Sequence, residues 1–503
     1  MFRTISSRIR RTGVAAAIVF ATAAQASTAP DHSDLLWLDR VTYGVNSSSL
    51  AAFEQSGRRD YLDAQLAARD ERLPPAVQAQ IDAMPISHHG IDDAIATLAA
   101  ARGKLKTIDD SQAKAEERKA LRKQGIALAV QTQERELLRA VYSPAQLKEQ
   151  MVWFWLNHFN VFDRKGPEAW LDADYVENAI RPHALGNFRD LVMATLTHPA
   201  MLVYLDNARN AAKQHNENYA RELMELHTLG VNAGYTQNDV QEMVRILTGV
   251  GVAINPRAPR LHANQQALLI RHDGFEFNPA RHDFGDKVLL GHTIRGSGFD
   301  EVRQAVDLLV AQPACAHFIS QEMATYFVAD NPPASLVDAM AETFQRTHGD
   351  IRSVLRTMFD APEFAASLGT KFKDPMHYLV SSLRLAYDGR EVPDPRRLVV
   401  WLNSQGEGEF GHPTPDGYPL VASAWDSSGQ MSARFELARV IGAGDVHLFD
   451  SVAMPTVPQL SGPLFAQAIK PWLSSTTLAA LDQAKSPLEW NTYLLAAPES
   501  NYR

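Results

Sequence analysis

Residues 215–249, HNENYARELMELHTLGVNAGYTQNDVQEMVRILTG, combine acids, arginines and histidines at helical spacing more densely than any other part of the chain. The stretch contains five carboxylates, two arginines and two histidines. It predicts two short helices joined by a glycine-containing turn, the first over about residues 217–229. Thr236 is predicted to cap the second helix, because Asp239 three residues later completes a capping box. We expect the functional site of the protein here.

The charged side chains of these two helices are the first candidate site residues. One polar face of the first helix carries Asn218, Arg221, Glu222 and Glu225. The second helix carries Asp239, Glu242 and Arg245 beside its apolar stripe. Because the turn is short, we expect the two sets of carboxylates to approach each other. Such carboxylates must take up a proton, pair with an arginine or bind a cation, so three interpretations stay open: a structural ion-pair network, an acid/base pair or a metal site.

Residues 143–161, SPAQLKEQMVWFWLNHFNV, form the second stretch of interest. Ser143 is predicted to cap a helix that has Pro144 in its first turn. Three consecutive aromatic residues at 153–155 indicate a helix that is covered on both sides. Asn157 and His158 follow on the last turn. A histidine beside buried aromatic residues is usually a satisfied core residue, but His158 could also serve as a neutral base or ligand facing the carboxylates.

The remaining sequence predicts a mainly α protein, a multi-helix globular array with one small β-insert around residues 265–295. A long helical stretch over residues 91–141, broken near residues 107–110, predicts a solvated helical hairpin. The insert alternates short apolar runs with glycine, proline and asparagine, which is typical of strands and tight turns. It carries His282, Asp283 and Lys287, which could form a lid or wall of the site or a plain turn.

Four segments are predicted along the chain. They are a cleaved signal peptide at 1–26, an N-terminal helical region with a long helical hairpin at 27–142, a central helical domain with the candidate site and the β-insert at 143–444, and a C-terminal helical tail at 445–503.

The N-terminal segment predicts export to the periplasm or the extracellular space. Four arginines precede the apolar run at residues 14–24, and Ala24-Gln25-Ala26 fits the small-x-small cleavage rule. Residues after Arg10-Arg11 match a twin-arginine signal poorly, so a Sec signal is favoured. No later apolar run is long enough to span a bilayer. The formal net charge of the chain is −9, and cleavage of the signal peptide would remove arginines but no acids. The mature chain would therefore be more acidic still, which argues against a nucleic-acid partner.

Several common enzyme classes lack their motifs in this sequence. No glycine-rich nucleotide loop lies between a strand and a helix, and there is no G-x-S-x-G nucleophile elbow or His-Glu-x-x-His zinc motif. The single cysteine, Cys315, excludes an internal disulfide and is predicted to be a small buried apolar residue.

The motifs WFWLNHFNV, NENYARELMELHTLGV, YTQNDVQEMVRILTG, HDFGDKVLLGHTI and GHPTPDGYP resemble those of the bacterial family catalogued as domain of unknown function 1800. The resemblance runs from about Asp34 to about Gly444. It implies an exported helical protein without an established activity, whose gene tends to lie beside that of a second exported protein resembling sulfatases and alkaline phosphatases. The family motif positions fall on His158, Asn216, Glu217, Asn218, Arg221, Glu222, Glu225, Asp239, Glu242, His282, Asp283 and Lys287.

Two residues depart from the family pattern. Val250 and His227 occupy positions that are often aromatic in the family. Both differences suggest a modified pocket wall.

Three functional hypotheses follow. The first is an exported hydrolase or lyase acting on a polymer such as a polysaccharide, with Glu222 or Glu225 as the acid and Asp239 or Glu242 as its partner. The predicted catalytic set also includes His158. The predicted substrate-binding set is Asn157, Asn216, Glu217, Asn218, Arg221, Arg245, His282, Asp283 and Lys287, and four tryptophans could stack on sugar rings, namely Trp153, Trp155, Trp170 and Trp425.

The other two hypotheses use the same residues differently. The second is a helical-bundle enzyme that depends on a divalent metal, bound by glutamates with His158 or His282. The Glu-x-x-His spacing of di-iron bundles is missing, however. The third is a non-catalytic scaffold or maturation partner of the exported sulfatase- or phosphatase-like protein.

Overall fold

A computed structural model describes residues 30–68, 71–253, 257–444, 448–449 and 457–503. The predicted signal peptide therefore lies outside the described residues. The fold is mainly α-helical, as predicted, and 63% of it is helix and 5% strand.

Helices make up the N-terminal part of the described chain. They are α1 His32–Val41, α2 Ser47–Ala67, α3 Pro75–Asp82, α4 Ile91–Thr107, α5 Ser111–Tyr142 and α6 Gln146–His158. The predicted hairpin is confirmed as α4 and α5, and Asp110 caps α5 by accepting a hydrogen bond from the backbone of Ala113. Ser143 does not cap α6 and Pro144 does not lie in its first turn, because the helix begins only at Gln146; the hydroxyl of Ser143 accepts from the backbone N–H of Ala145 at 3.2 Å instead.

The central part contains shorter helices and every strand found in the described residues. The helices are α7 Asp172–Asp174, α8 Phe188–Thr197, α9 Pro199–Tyr204, α10 Asn218–Glu225, α11 Gln237–Ile246 and α12 Ala263–Gln266, and a π-helical turn covers Tyr175–Ile180. The strands are β1 Val250–Val252, β2 Ile270–His272, β3 Phe275–Phe277, β4 Lys287–Leu289 and β5 His292–Ile294.

The strands form two separate antiparallel sheets. β3 lies between β1 and β2, whereas β4 and β5 form a hairpin of their own. The sheet thus begins at Val250, before the predicted insert. Helix α10 ends at Glu225, earlier than predicted, because the backbone N–H groups of His227 and Leu229 bond five residues back and widen the last turn. The Thr236–Asp239 capping box at the start of α11 is confirmed.

Helices also form the C-terminal part. They are α13 Phe299–Val310, α14 Pro313–Phe327, α15 Ala334–Arg346, α16 Ile351–Phe359, α17 Pro362–Ala366, α18 Pro375–Tyr387, α19 Arg396–Ser404, α20 Ser428–Ala443, α21 Ser475–Asp482 and α22 Pro487–Leu495. One apolar core extends from Leu35 to Leu495, and it includes Trp155, so α6 is as deeply buried as its aromatic run predicts. Cys315 is also buried. Within the described ranges, no helix has both the length and the apolar character needed to cross a membrane.

Candidate functional site

The acids of α11 fasten the β4–β5 hairpin to the helix. Asp239 accepts a hydrogen bond from the backbone N–H of Leu290 at 2.7 Å while it also closes the capping box. Glu242 accepts from the backbone N–H of Val288 at 2.9 Å and pairs with Arg245 at 2.9 Å. Both carboxylates therefore have partners that account for their positions without a substrate.

The residues of the predicted insert complete this attachment. Arg245 pairs with Asp283 at 2.8 Å, and this hydrogen bond is the main reason that the pKa of Asp283 falls to about 2. Glu301, His282 and Lys287 form a triad beside this ion pair. In it, Glu301 accepts a hydrogen bond from His282 at 2.9 Å and another from the ammonium group of Lys287. The side chains of this triad are fully buried. We call Asp239, Glu242, Arg245, Asp283 and the triad the hairpin clamp.

His158 lies in the aromatic core. Its ring is close to those of Phe154, Trp155 and Phe159, and its Nε2 lies 3.1 Å from the carbonyl oxygen of His227. Burial lowers the pKa of His158 to about 4. The imidazole is therefore neutral near pH 7, and its surroundings are those of a satisfied core residue. His227, one of the departures from the family pattern, is also buried, and neither ring nitrogen has a hydrogen-bond partner among the described residues.

The carboxylates of α10 lie in a different electrostatic environment from those of α11. Burial raises the pKa of Glu222, and the nearby charges of Glu225 and Asp416 raise it further against the opposing effect of Arg221. Glu222 and Glu225 are partly exposed, so solvent reaches them. We call Glu222, Glu225 and Asp416 the outer acids. An accessible carboxyl group that retains its proton beside other carboxylates can act as a general acid.

Two tyrosines flank the outer acids. Burial, followed by the charges of Asp416, Glu168 and Glu222, raises the pKa of Tyr204 well above its usual value. Burial and the charge of Glu225 raise the pKa of Tyr235 to about 12. Both phenols therefore keep their protons near neutral pH. Tyr204 donates a hydrogen bond to the carbonyl of Pro413 at 2.9 Å, whereas the hydroxyl of Tyr235 has no hydrogen-bond partner among the described residues and remains a potential donor.

The loop that carries Asp416 is held in place by residues in the last turn of α6 and just after it. The side chain of Asn157 donates to the carbonyl of Tyr418 at 2.9 Å and accepts from its N–H at 2.7 Å. Asn160 donates to the carbonyls of His412 and Thr414. Gly417, with a φ of +68°, packs against the backbone of Asn157 where a Cβ atom would collide with it. Asn157 is thus a positioning residue for the loop.

Two further carboxylates lie behind Tyr204. Glu168 and Asp172 are fully buried, and none of their carboxylate oxygens has a hydrogen-bond partner among the described residues. Burial raises both pKa values well above the usual range, and the two groups also act on the same phenol of Tyr175. Both are therefore protonated near neutral pH. We call Glu168 and Asp172 the inner acids.

A cation, Lys165, lies over the ring of Tyr204, with its ammonium nitrogen 5.2 Å from the ring centre. Its ammonium group donates to the carbonyl of Tyr204 and pairs with Asp206 at 3.0 Å. It partly offsets the rise in the pKa of Glu168. The pKa of Tyr204 responds to Glu168 and to Glu222, so this phenol is electrostatically coupled to one inner acid and to one of the outer acids.

The other predicted binding residues form a surface network at the start of α10. Glu217 accepts from Arg221 at 3.1 Å and from Gln237 at 3.0 Å. The backbone N–H of Asn218 donates to the side chain of Asn216 at 3.0 Å. Arg221 also donates to Gln237 at 2.9 Å, so these contacts join α10 to α11 through neutral and oppositely charged partners.

The predicted constellation therefore divides into two groups. Glu222 is electrostatically coupled to Glu225, Asp416 and Tyr204. The other group belongs to the hairpin clamp and consists of Asp239, Glu242, Arg245, His282, Asp283 and Lys287. Trp153, Trp155 and Trp425 are buried, and only Trp170 of the four proposed sugar-stacking tryptophans is partly exposed. Among the described residues, no three His, Cys, Asp or Glu side chains are grouped as metal ligands.

The prediction did not include Glu168, Asp172, Tyr204 or Asp416. One signal for the inner acids was present in the sequence, since residues 159–175, FNVFDRKGPEAWLDADY, place several acids directly after the buried aromatic helix. Tyr204 and Asp416 come close to Glu222 only through the fold.

A family model described as "Protein of unknown function (DUF1800)" matches residues 36–502. No curated protein and no solved structure matches the chain.

Proposed function

The chain belongs to this DUF1800 family, and we propose that it is an exported carboxylate-based hydrolase or lyase acting on an extracellular polymer such as a polysaccharide. The observation that carries the proposal is the raised pKa of the accessible Glu222 beside Glu225 and Asp416. Polysaccharide cleavage commonly uses one protonated and one ionised carboxyl group.

In this proposal Glu222 protonates the oxygen of the leaving group. Glu225 or Asp416 is the ionised partner, which takes a proton from water in hydrolysis or from the sugar ring in a lyase reaction. In hydrolysis the hydroxyl of the water joins the sugar carbon and the other proton of the water goes to the base, while Glu222 gives its own proton to the oxygen of the leaving alcohol. Transfer of a proton from the base back to Glu222 then restores the starting state. Tyr235 can donate a hydrogen bond to the substrate beside these acids, whereas Tyr204 donates to the carbonyl of Pro413 in the segment that leads to Asp416.

Export is part of the same proposal. The signal at residues 1–26 would deliver a mature chain beginning at Ser27 to the periplasm or the extracellular space, where it could meet such a polymer. The exported sulfatase- or phosphatase-like partner stays a prediction, because no contact within the described chain bears on it.

The test is degradation of neutral, amino, uronate and sulfated polysaccharides by the mature protein. Glu222→Gln should lower turnover by roughly 10²- to 10⁴-fold, the usual contribution of a general acid. Glu342→Gln, at an exposed position on α15, is the matched control and should retain full activity. The rate of the parent should fall as pH rises through the raised pKa of Glu222, because the acid then loses its proton.

The products distinguish the two reaction types. A lyase leaves an unsaturated sugar that absorbs ultraviolet light, whereas a hydrolase leaves only a new reducing end. Full activity of a folded Glu222→Gln protein, or no degradation of any polymer in the panel, would contradict the proposal.

A further inference from the structure

An open cavity lies between the helical hairpin and the loop that leads to the inner acids. It has a volume of about 340 Å³ and is bounded by α4, α5 and residues 163–170. Apolar side chains form part of its lining, namely Leu98, Leu121, Ile126 and Trp170. Its size is in the range of small-molecule sites.

Three arginines also line this cavity. Arg118 and Arg122 are exposed one helical turn apart on α5, and Arg164 approaches them from the loop. Within the described ranges, Arg118 and Arg122 form no ion pair, and Arg164 has only Asp163 at 3.7 Å. Two like charges at i and i+4 repel each other on a helix, so this pair of arginines slightly destabilises α5. We call Arg118, Arg122, Arg164 and Trp170 the arginine pocket.

The indole of Trp170 is fixed by a glycine of α5. A Cβ atom at Gly125 would lie 2.7 Å from Nε1 of Trp170, a distance that real Cβ atoms do not show. Glycine inside a helix costs roughly 0.5–1 kcal/mol relative to alanine. Gly125 thus allows the ring edge to approach the helix closely, which places a partly exposed aromatic ring beside the arginines.

We infer that the arginine pocket binds an acidic sugar unit, carboxylated or sulfated, of a polymer substrate. The planar guanidinium group binds carboxylate and sulfate-like anions through paired hydrogen bonds. An aromatic ring offers an apolar surface to the flat face of a sugar. The combination of Arg118 and Arg122, which form no ion pair among the described residues, with an apolar lining suits a ligand that has both an anionic group and an apolar face.

The pocket is coupled to the proposed catalytic acids through the loop at residues 163–170. The backbone N–H of Asp163 donates to the carbonyl of Phe410 at 3.2 Å, just before the loop that carries Asp416. Arg122 acts on the pKa of Asp163, and Arg164 acts on that of Tyr418. A ligand bound here would therefore contact the segment at residues 163–170, which is hydrogen-bonded to the chain just before the loop that carries Asp416. The choice of a sugar polymer rests on the proposed function, whereas the choice of an anion does not.

The test measures binding without turnover, by calorimetry with the mature chain. The probes are a short oligogalacturonate, a sulfated oligosaccharide and a neutral oligosaccharide of the same length. We expect at least one anionic probe to bind and the neutral one to bind at least tenfold more weakly. The double variant Arg118→Gln/Arg122→Gln should weaken anionic binding roughly tenfold or more, the usual effect of losing hydrogen bonds to a charged group.

The matched control is Lys119→Gln/Lys123→Gln. It removes the same charge from the same helix, at exposed positions outside the pocket, and it should change the affinity less than twofold. If both double variants lost the same affinity for the anionic probes, the effect would come from the overall charge of the helix and not from the pocket, and the inference would be overturned. Equal binding of the neutral probe, or no binding of either anionic probe, would also overturn it. An anionic probe that binds in the pocket but is never cleaved would contradict the proposed function and leave the pocket intact.

Discussion

Glu301 of the hairpin clamp and the two inner acids are fully buried carboxyl groups, but their hydrogen bonding is opposite. Glu301 receives His282 and Lys287 in its fully buried triad. Glu168 and Asp172 receive no hydrogen bond from any described residue. Burial penalises the charge in both places, so the partners decide the outcome. Glu301 is buried, but hydrogen bonds from His282 and Lys287 hold its pKa below the usual value. The pKa values of the inner acids, which lack such partners, are raised.

This difference helps to identify which carboxyl groups of residues 215–249 could transfer a proton. An ionised carboxylate that is held by buried partners stabilises the fold and has no free lone pair for a substrate. A carboxyl group that burial or neighbouring acids keep protonated has a proton to give. Among the outer acids, Glu222 resembles the inner acids in that its pKa is raised, and it is also accessible to solvent.

The largest expected effect comes from breaking the clamp at Glu301. Glu301→Gln should lower the free energy of unfolding by about 3–5 kcal/mol, because it leaves the ammonium group of Lys287 buried without a counter-charge. Urea unfolding at neutral pH measures this. The double variant Glu301→Leu/Lys287→Met should recover part of the loss, since it removes both charges. A loss below 1 kcal/mol for Glu301→Gln would contradict the structural role of the triad.

This loss should also depend on pH. Because the pKa of Glu301 is lowered in the folded state, its contribution is present above the pKa of the unfolded chain and is lost as pH falls through the folded pKa. The difference between the parent and Glu301→Gln should therefore shrink in acid.

The inner acids should give an intermediate effect with the opposite dependence on pH. Their raised pKa values mean that the folded protein holds protons that the unfolded chain releases, so stability falls as pH rises above the unfolded pKa. Glu168→Gln/Asp172→Asn should remove this fall and exceed the parent by about 1–3 kcal/mol at mildly alkaline pH. Urea unfolding across the pH range measures it, with Glu342→Gln as the exposed control. A parallel fall in the double variant would show that other groups cause it.

Much of the fold could be predicted because its determinants are local in sequence. The Thr236–Asp239 capping box, the break between α4 and α5 and the aromatic run of α6 each depend on residues within one or two helical turns. The end of α10 was missed because two five-residue hydrogen bonds replace the usual helical ones after Glu225. Such a widened turn has no signature in the apolar spacing.

The candidate site was predicted only in part, because its division depends on long-range contacts. Helical spacing placed Glu222 and Glu242 on polar faces, but it could not show that Glu242 meets Val288 while Glu222 faces Asp416. Those partners lie 46 and 194 positions away in the sequence. Tyr204 joins the site in the same way, through a loop that Asn157 positions.

The smallest expected effect separates the two halves of the motif most directly. Glu242→Gln should lower the free energy of unfolding by about 1 kcal/mol, because it weakens a partly buried ion pair with Arg245 and the bond to Val288. Glu222→Gln should change it by less than about 0.5 kcal/mol at neutral pH, or stabilise the protein slightly, because it removes repulsion from Glu225 and Asp416.

The two substitutions are chemically identical and lie on neighbouring helices, so chemical denaturation of both at one pH is a controlled comparison. Because the pKa of Glu222 is raised in the folded state, its carboxylate destabilises the fold as pH rises, and any gain from Glu222→Gln should disappear below the pKa of the unfolded chain. If Glu222→Gln were as destabilising as Glu242→Gln, the outer acids would be part of the structural framework. Glu222 would then have no proton to spare, and the proposed acid/base chemistry would lose its basis.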